Sequence, residues 1–247
     1  MSSETIYLLH TRPDPQRLAA WAARRRLLDK EGDLGYALHA LLHAAFGEQA
    51  PQPFRYLDAE QGLLAYTHLD ATGLAQLVAL ADPDVAAALG LGQTRQHGGM
   101  NVRAFPAKWA VGHTLGFEVR VRPIIREGKT GRERDAFLAA AEKSQGSVPD
   151  RGEVYVQWLR DAFARQGGAE LIDARMTRYQ LLGVTRRSQR GSAEDVRQSR
   201  LVGGPDAVLA GQLRVTNPQT FAHLLANGLG RHRAFGFGLL FLRPARD

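Results

Sequence analysis

Two histidines and a tyrosine lie at helical spacing in the first half of the chain. Tyr36, His39 and His43 follow one another at intervals of three and four residues, so a helix would present them on one side. Histidine exchanges protons near neutral pH, and tyrosine can assist such a transfer. The spacing therefore indicates an acid–base group with His39 at its centre. The same residues also suit the partly buried side of an alanine-rich and leucine-rich helix, and this interpretation stays open.

A glycine-rich segment near the end of the chain, residues 228–238, could bind phosphate. It contains four glycines together with Arg231, His232 and Arg233. Glycine lets a backbone approach phosphate oxygens closely, and the two arginines can pair with those oxygens. The segment lacks the Gly-Lys-Ser/Thr ending of a nucleotide-binding P-loop, and no helix follows it as in a dinucleotide fingerprint. We therefore predict a phosphate contact that belongs to neither of those motifs.

Arginine dominates the basic residues of the chain. Of the 32 lysines and arginines, 28 are arginines, and the formal net charge is +7. The planar guanidinium group pairs with phosphate at two points and stacks on bases, which favours a nucleic acid as the partner. A GC-rich genome would also raise the arginine content, so the positions of the arginines must decide between the two explanations.

Basic side chains gather at several further places. Arg24 and Arg26 precede the histidine segment and could supply positive charge to it. Arg120 and Arg122 are two residues apart on a predicted strand, so they share one face and suit phosphate contacts. Other basic residues lie in polar turns and loops, where they could contact the phosphates of a nucleic acid: Lys129, Arg186, Arg187 and Arg190.

Several classes of function are disfavoured by what the sequence lacks. Cysteine is absent, which removes disulfides, thiolate metal sites and cysteine nucleophiles. His97, His113 and His223 show no paired spacing with carboxylates, so we predict neither a metal site nor a cofactor. The sequence shows neither a secretory leader nor an apolar run long enough to cross a membrane, which predicts a cytoplasmic protein.

Alternation and helical periodicity predict an α+β protein. In the first half, strand signals at 5–10, 54–57 and 63–69 are interspersed with helical segments at 14–30, 33–46 and 72–89. This β-α-β-β-α order opens a ferredoxin-like unit. A comparable order follows in strands at 117–125, 171–184, 208–216 and 238–242 and helices at 153–166 and 218–226. We therefore predict two tandem ferredoxin-like domains, residues 1–92 and 93–247, and we assign no structure to the loop 185–204.

The glycine-rich segment carries a resemblance to a known family. Residues 217–244, a helix followed by Gly-Leu-Gly-Arg-His-Arg-Ala-Phe-Gly-Phe-Gly-Leu-Leu, resemble the C-terminal signature of the CRISPR repeat-processing endoribonucleases. Within that superfamily the sequence is most similar to the CasE type of type I-E systems and to its type IV relatives. Residues 36–46 resemble the early helix in which that type commonly keeps a catalytic histidine, and residues 119–124 resemble its central strand.

The resemblance implies a metal-independent endoribonuclease that grips the hairpin of CRISPR repeat RNA and cleaves the precursor to mature crRNA. It implies His39 as the catalytic histidine, with Tyr36, Arg24 and Arg26 as further catalytic candidates. Other subunits of a CRISPR effector complex are the implied protein partners. Some type IV members rely on arginines instead of a histidine, and this mechanism stays open. The alternative function is a non-catalytic RNA-binding scaffold subunit with the same fold.

Overall fold

The structure is a computed structural model that describes residues 5–28, 34–92, 99–106, 109–128, 131–144, 146–187 and 199–245. Within these ranges, helices pack on antiparallel sheets in both halves of the chain. The protein is therefore of the α+β class, as the sequence predicts.

Four antiparallel strands form the first sheet, in the order β2-β3-β1-β4. The strands are β1 (Tyr7–Thr11), β2 (Phe54–Asp58), β3 (Gly62–Thr67) and β4 (Asn101–Ala104). The helices between them are α1 (Pro15–Arg24), α2 (Gly35–Phe46), α3 (Ala71–Leu80) and α4 (Pro83–Ala88). This arrangement is a ferredoxin-like unit, which confirms the predicted fold of the first half.

The second sheet repeats this arrangement in the order β10-β5-β9-β8. Its strands are β5 (Thr114–Val121), β8 (Ala169–Arg187), β9 (Ser199–Val215) and β10 (Leu240–Pro244). Three helices accompany them, α5 (Ala136–Lys143), α6 (Arg151–Gln166) and α7 (Pro218–Asn227). A small hairpin of β6 (Ile124–Arg126) and β7 (Glu133–Asp135) precedes α5. If β5, β8, β9 and β10 are counted as first to fourth, their order matches that of the first sheet.

Alternate side chains of the first sheet face two different apolar cores. Leu9 and Leu63 pack among the helices of the first half. Leu8 and Tyr66 instead belong to the core that contains β5, α6 and α7, and Tyr66 Oη donates a hydrogen bond to Leu240 O at 2.9 Å. One face of the first sheet therefore packs against the second half and holds the two ferredoxin-like units together.

Helical periodicity predicts one helix over residues 72–89. This prediction is wrong, because two helices, α3 and α4, occupy the range. The side chain of Asp82 accepts a hydrogen bond from Asp84 N at 2.8 Å, and Pro83 fills the first helical position of α4. An aspartate cap followed by proline is a strong start signal for a helix. It therefore ends α3 and begins α4 within an apolar pattern that otherwise reads as continuous.

Three other parts of the chain differ from the prediction. The structureless loop predicted over 185–204 is wrong at its ends, because β8 and β9 pair as far as Arg187 and Ser199. Helix α5 was not predicted, since its alanine-rich sequence has little helical periodicity. Strand β4 follows residue 92 and yet pairs with β1. We therefore propose that the division between the domains follows β4.

Candidate active site

One side of helix α2 packs in the core of the first half, and another side carries the polar residues. Leu38 and Leu41 are buried, whereas Tyr36, His39 and His43 are partly exposed. The ring centroids of Tyr36 and His39 are 6.2 Å apart, and those of His39 and His43 are 4.5 Å apart. The prediction that these three residues share one side of a helix is confirmed.

The glycine-rich loop, residues 228–238, runs from the end of α7 to β10 and folds back on itself. Leu229 N donates to Gly238 O at 2.8 Å, and Gly238 N donates to Arg120 O on β5 at the same distance. Gly238 has a φ of +83°, and a Cβ atom there would lie 2.4 Å from Leu229 O. Only glycine fits this position. The close approach that the sequence suggested for a phosphate is used at Gly238 by the backbone of the loop itself.

The loop contacts α2 through Phe235. A short 3-10 turn, Arg233–Phe235, lies between Gly230 and Gly236. The Phe235 ring stacks on Tyr36 with the centroids 5.9 Å apart, and it meets the His39 ring edge-on at 5.2 Å. The histidine helix and the glycine-rich loop, which lie far apart in the sequence, therefore form one cluster.

Burial controls the acid–base behaviour of His39. Burial, to which the Phe235 ring contributes, and the neighbouring His43 lower the pKa of His39 from 6.5 to about 4. At neutral pH the His39 ring is therefore uncharged and can accept a proton. A phosphate close to the ring would raise this pKa again, because negative charge favours the protonated form.

Glu133, at the start of β7, holds the glycine-rich loop in place. Its Oε1 accepts a hydrogen bond from Arg231 Nε at 2.9 Å, and its Oε2 lies 2.8 Å from His232 Nε2. His232 has a φ of +60°, a conformation that is uncommon outside glycine. Its side chain is 3% exposed and its ring contacts that of Phe235. His232 therefore supports the loop, and its burial argues against the direct RNA contact that we predicted for it.

The two arginines of the loop remain accessible. The side chain of Arg231 is 46% exposed in spite of its ion pair with Glu133. Arg233 is exposed, and its Nη1 donates a hydrogen bond to Asn227 O at 2.6 Å. Both guanidinium groups can therefore reach a phosphate from a loop that packs against His39, and their RNA-binding role stays a prediction.

Arg120 and Arg122 share one face, as predicted, but both are largely buried. Arg120 Nε and Nη2 donate to the two carboxylate oxygens of Asp206, each at 2.9 Å. Arg122 is 2% exposed and donates to Leu182 O at 3.3 Å. Both guanidinium groups lie over the ring of Phe237, with Cζ atoms 4.4 and 5.9 Å from its centroid. Their role as phosphate contacts stays a prediction, and the burial of Arg122 argues against a direct contact there.

Asp206 is the buried counter-charge of Arg120. Burial alone would raise the pKa of Asp206, but the hydrogen bonds and charge of Arg120 hold the pKa below its ordinary value. Gln180 Nε2 adds a further hydrogen bond at 2.6 Å. The carboxylate is therefore ionised at neutral pH, and it connects β5 to the long hairpin of β8 and β9.

The remaining predicted site residues are Arg24, Arg26 and four RNA-binding candidates. Arg24 ends α1, and its Nη2 lies 3.3 Å from Asp84 Oδ2 on α4. Arg26 is exposed just after α1 and has a φ of +53°. The catalytic role of these two arginines stays a prediction. Four RNA-binding candidates cannot be compared with the structure, because the side chains of Arg186 and Arg187 and the whole of Lys129 and Arg190 lie outside the described residues.

Two residues that the sequence analysis did not single out complete this cluster. Phe235 could have been singled out from the sequence, because a large aromatic residue between glycines in a polar loop has no strand or helix of its own in which to pack. Glu133 had none, because its partners Arg231 and His232 lie almost a hundred residues further along the chain. The position of Glu133 on β7 brings its carboxylate to the loop.

The cluster offers proton transfer at His39 beside accessible positive charge at Arg231 and Arg233. Among the described residues, no three histidine, aspartate or glutamate side chains are grouped so as to hold a metal ion. In the same part of the chain, no helix has both the length and the apolar character needed to cross a membrane.

The fold and site define a class of proteins with two ferredoxin-like units, in which a glycine-rich loop of the second unit packs on a histidine-bearing helix of the first. A family model described as "CRISPR associated protein" matches residues 6–244. The chain belongs to this family. No curated protein sequence matches it.

Several solved structures share this fold. The chain is 20% identical to CRISPR endoribonuclease Cse3 bound to a 19-nucleotide RNA, with a TM-score of 0.63 over 98% of this chain and 100% of that chain. It is also 20% identical to Thermus thermophilus Cse3 bound to an RNA that represents a pre-cleavage complex, with a TM-score of 0.60 and coverage of 97% and 100%. A chain of a pre-nicking CRISPR RNA-guided surveillance complex is 18% identical, with a TM-score of 0.55 and the same coverage. These similarities establish a shared fold along nearly the whole chain.

Proposed function

We propose that the protein is a metal-independent endoribonuclease that binds the hairpin of CRISPR repeat RNA and cuts the precursor once, at the foot of the hairpin. The family match and the fold shared with RNA-bound Cse3 support an RNA substrate of this kind. The contact between His39 and Phe235 is the observation that carries the catalytic part of the proposal. It brings a proton-accepting group to a loop that presents accessible arginines.

The reaction requires three events at one phosphate. The 2′-hydroxyl loses a proton as its oxygen attacks the adjacent phosphorus, the bond from phosphorus to the 5′-oxygen breaks, and that oxygen gains a proton. One product ends in a 2′,3′-cyclic phosphate, which water can open to a 3′-phosphate, and the other begins with a 5′-hydroxyl. Negative charge grows on the phosphorane between these states and must be stabilised.

We assign these events to the cluster on α2 and the glycine-rich loop. His39 accepts the proton of the 2′-hydroxyl, because its lowered pKa keeps it neutral near pH 7. Tyr36, which stacks on Phe235, assists proton transfer to the leaving oxygen. Arg231 and Arg233 stabilise the charge on the phosphorane. Arg24, the last residue of α1, and Arg26 just after it add further positive charge.

The RNA stem and the protein partners follow from the same proposal. The hairpin of β8 and β9 carries Arg186 and Arg187 at its outer end, and we assign these residues, with Lys129 and Arg190, to the phosphates of the stem. The fold shared with a chain of a surveillance complex supports assembly with other CRISPR subunits. We place this assembly in the cytoplasm.

A non-catalytic scaffold subunit of the same complex is the second candidate. The ring of Phe235 covers part of His39, and a permanently covered histidine would bind RNA without cutting it. Purified protein incubated with labelled repeat RNA in excess EDTA separates the two functions. An endoribonuclease yields a single cut with a cyclic phosphate end, whereas a scaffold subunit retains the RNA intact. Sequencing of the RNA that co-purifies with the protein identifies the substrate.

A further inference from the structure

The face of the second sheet opposite α6 and α7 borders a small cavity. Alternate residues of β5 point to opposite sides of the sheet: Phe117 and Val119 belong to the apolar core with α6 and α7, whereas Glu118 and Arg120 point the other way. On that side, residues of the edge strand β2 and of the second sheet enclose about 270 Å³. This is room for one nucleotide and far too little for a duplex.

Glu118 anchors two of the four arginines that line the cavity. Arg55 Nη2 lies 2.5 Å from Glu118 Oε1, and Arg243 Nη2 lies 3.1 Å from Glu118 Oε2. The Arg55 side chain is 10% exposed, whereas that of Arg243 is 48% exposed. One carboxylate therefore fixes two guanidinium groups, of which Arg243 is open to the cavity and to solvent.

Asp206 anchors the other two arginines in the same way. It is fully buried and binds Arg120 at two points. Arg178 Nη2 lies 3.9 Å from Asp206 Oδ2, with a side chain that is 56% exposed. The described lining thus contains four arginines and the carboxylate of Glu118. Even with the buried carboxylate of Asp206 behind it, the net charge is positive.

The arginines are close enough to influence one another. Burial lowers the pKa of Arg55, Glu118 opposes this effect, and the charges of Arg120 and Arg178 lower the pKa further. An anion that entered the cavity would relieve this repulsion. Because the hydrogen bond to Glu118 already restrains the guanidinium group of Arg243, this side chain would lose little conformational entropy when a phosphate binds.

Two aromatic residues complete the lining. Tyr56 and Phe241 both line the cavity and are partly exposed. Arg243 lies over Phe241, with its Cζ atom 5.2 Å from the ring centroid. Aromatic rings and guanidinium planes are the surfaces on which unpaired bases stack. Phosphate and base could therefore be bound side by side.

The cavity adjoins the candidate active site through the glycine-rich loop. A Cβ atom added to Gly236, the residue after Phe235, would lie 3.7 Å from Arg120 Nη1. Arg120 in turn lines the cavity. The residue after Phe235, which contacts His39, therefore adjoins the lining of the cavity.

We propose that this cavity binds one unpaired nucleotide of the RNA next to the foot of the hairpin, with its phosphate at Arg178 and Arg243 and its base against Tyr56 or Phe241. The proposal rests on the proposed function in one respect, that the ligand of the protein is a hairpin RNA. It adds that the protein recognises a single-stranded flank as well as the stem.

Binding of three RNAs tests this proposal. Each contains the repeat hairpin with a 2′-deoxy residue at the cut site, so that it cannot be cleaved, and carries no flank, a 5′ flank or a 3′ flank of unpaired residues. For the parent protein we expect one flank to lower Kd by roughly fivefold or more, the usual effect of a stacked base. The double variant Arg178→Ala/Arg243→Ala should lose this gain and bind the flankless hairpin as the parent does. Each single variant should lose part of it.

Arg160→Ala provides the matched control. Arg160 is exposed on α6, on the other side of the sheet, and its Nη1 donates a hydrogen bond to Gln157 Oε1 at 3.0 Å. This variant should keep the full gain from the flank. If neither flank tightens binding by the parent, or if the double variant keeps the gain, the proposal is wrong.

A single-stranded RNA of six residues separates this failure from failure of the proposed function. If the hexamer binds the parent and loses affinity in the double variant while the hairpin does not bind, the cavity is a single-strand site and the hairpin function is wrong. If the hairpin is bound and its all-ribose form is cut, while neither the flank nor the hexamer depends on Arg178 and Arg243, the cavity proposal fails alone.

Discussion

The ring of Phe235 meets the ring of His39 at a centroid distance of 5.2 Å and an interplanar angle of 71°. Phe235 belongs to the glycine-rich loop of the second half, and His39 belongs to α2 of the first half. Because Phe235 helps to bury His39, the loop influences the protonation of the histidine.

Removing the Phe235 ring should raise the pKa of His39. In Phe235→Ala the histidine becomes more hydrated, which favours its charged form, so its pKa should move from about 4 towards the ordinary 6.5. An NMR titration of the His39 ring protons measures this shift. Phe241→Ala, which removes a similar ring from the cavity on the second sheet, should leave the His39 pKa unchanged. An unchanged pKa in Phe235→Ala would show that other neighbours bury the histidine.

The rate of cleavage should bend at a pH below neutrality. A histidine base works only when neutral, so the single-turnover rate should rise with pH through the pKa of His39 and then become flat. Since bound phosphate raises that pKa, we expect the midpoint between about 4 and 6.5. Phe235→Ala should move the midpoint upwards. A rate without any bend from pH 4 to 8 would instead favour the mechanism in which arginines stabilise the phosphorane.

His39 should also make the stability of the fold depend on pH. Its pKa is about 4 in the folded protein and about 6.5 when unfolded, so the unfolded chain binds the proton first as the pH falls. The stability that the neutral ring contributes is present above pH 6.5 and is lost between pH 6.5 and about 4. Over this range the Tm of the parent should fall more steeply than that of His39→Gln. Equal slopes would mean that His39 titrates normally in the folded state.

Glu133→Gln should slow cleavage without abolishing RNA binding. The substitution keeps the size of the side chain but removes the charge shared by Arg231 and His232, so the loop should lose its fixed position. Misplaced catalytic groups typically cost roughly 10- to 100-fold in rate, which single-turnover kinetics can measure. Glu170→Gln, which removes an exposed ion pair with Arg214 on β9, serves as the control and should cut at the parent rate. Equal rates for the two variants would exclude a positioning role for Glu133.

Arg233→Ala should weaken RNA binding, whereas Arg120→Ala should lower the stability of the fold. Arg233 is exposed, so its loss should weaken RNA binding with a shallower salt dependence and leave stability unchanged. Loss of Arg120 leaves Asp206 buried without its main partner, which typically costs about 3 kcal/mol or more of unfolding free energy. Urea denaturation and RNA binding at several salt concentrations distinguish the two. Equal stability of Arg120→Ala and the parent would contradict the buried pair.

Much of the fold could be predicted because it depends on local patterns. The alternation along β5 and the helical spacing of Tyr36, His39 and His43 are properties of neighbouring residues. The break at Asp82 could also have been found, since aspartate before proline is a local helix start. The pairing of Glu133 with Arg231 depends instead on how two distant loops meet, and no local pattern contains that information.

The burial of the strand arginines was unpredictable for the same reason. The spacing of Arg120 and Arg122 correctly gave a shared face, but a face of arginines next to apolar residues reads as solvent-exposed. Its burial requires Asp206, which β9 supplies from much later in the chain, and the ring of Phe237. Long-range charge pairing therefore decides which arginines remain available for phosphate.

Single-turnover cleavage of the repeat hairpin by the parent and by His39→Ala, both in excess EDTA, tests the central claim most directly. We predict that the parent makes one cut at the foot of the hairpin and leaves a cyclic phosphate. His39→Ala should bind the hairpin with nearly unchanged affinity and cut it more slowly by about 10²-fold or more, the usual scale for a positioned acid or base. If the parent cuts only when a divalent metal is restored, or if His39→Ala cuts at the parent rate, the account of this site is wrong.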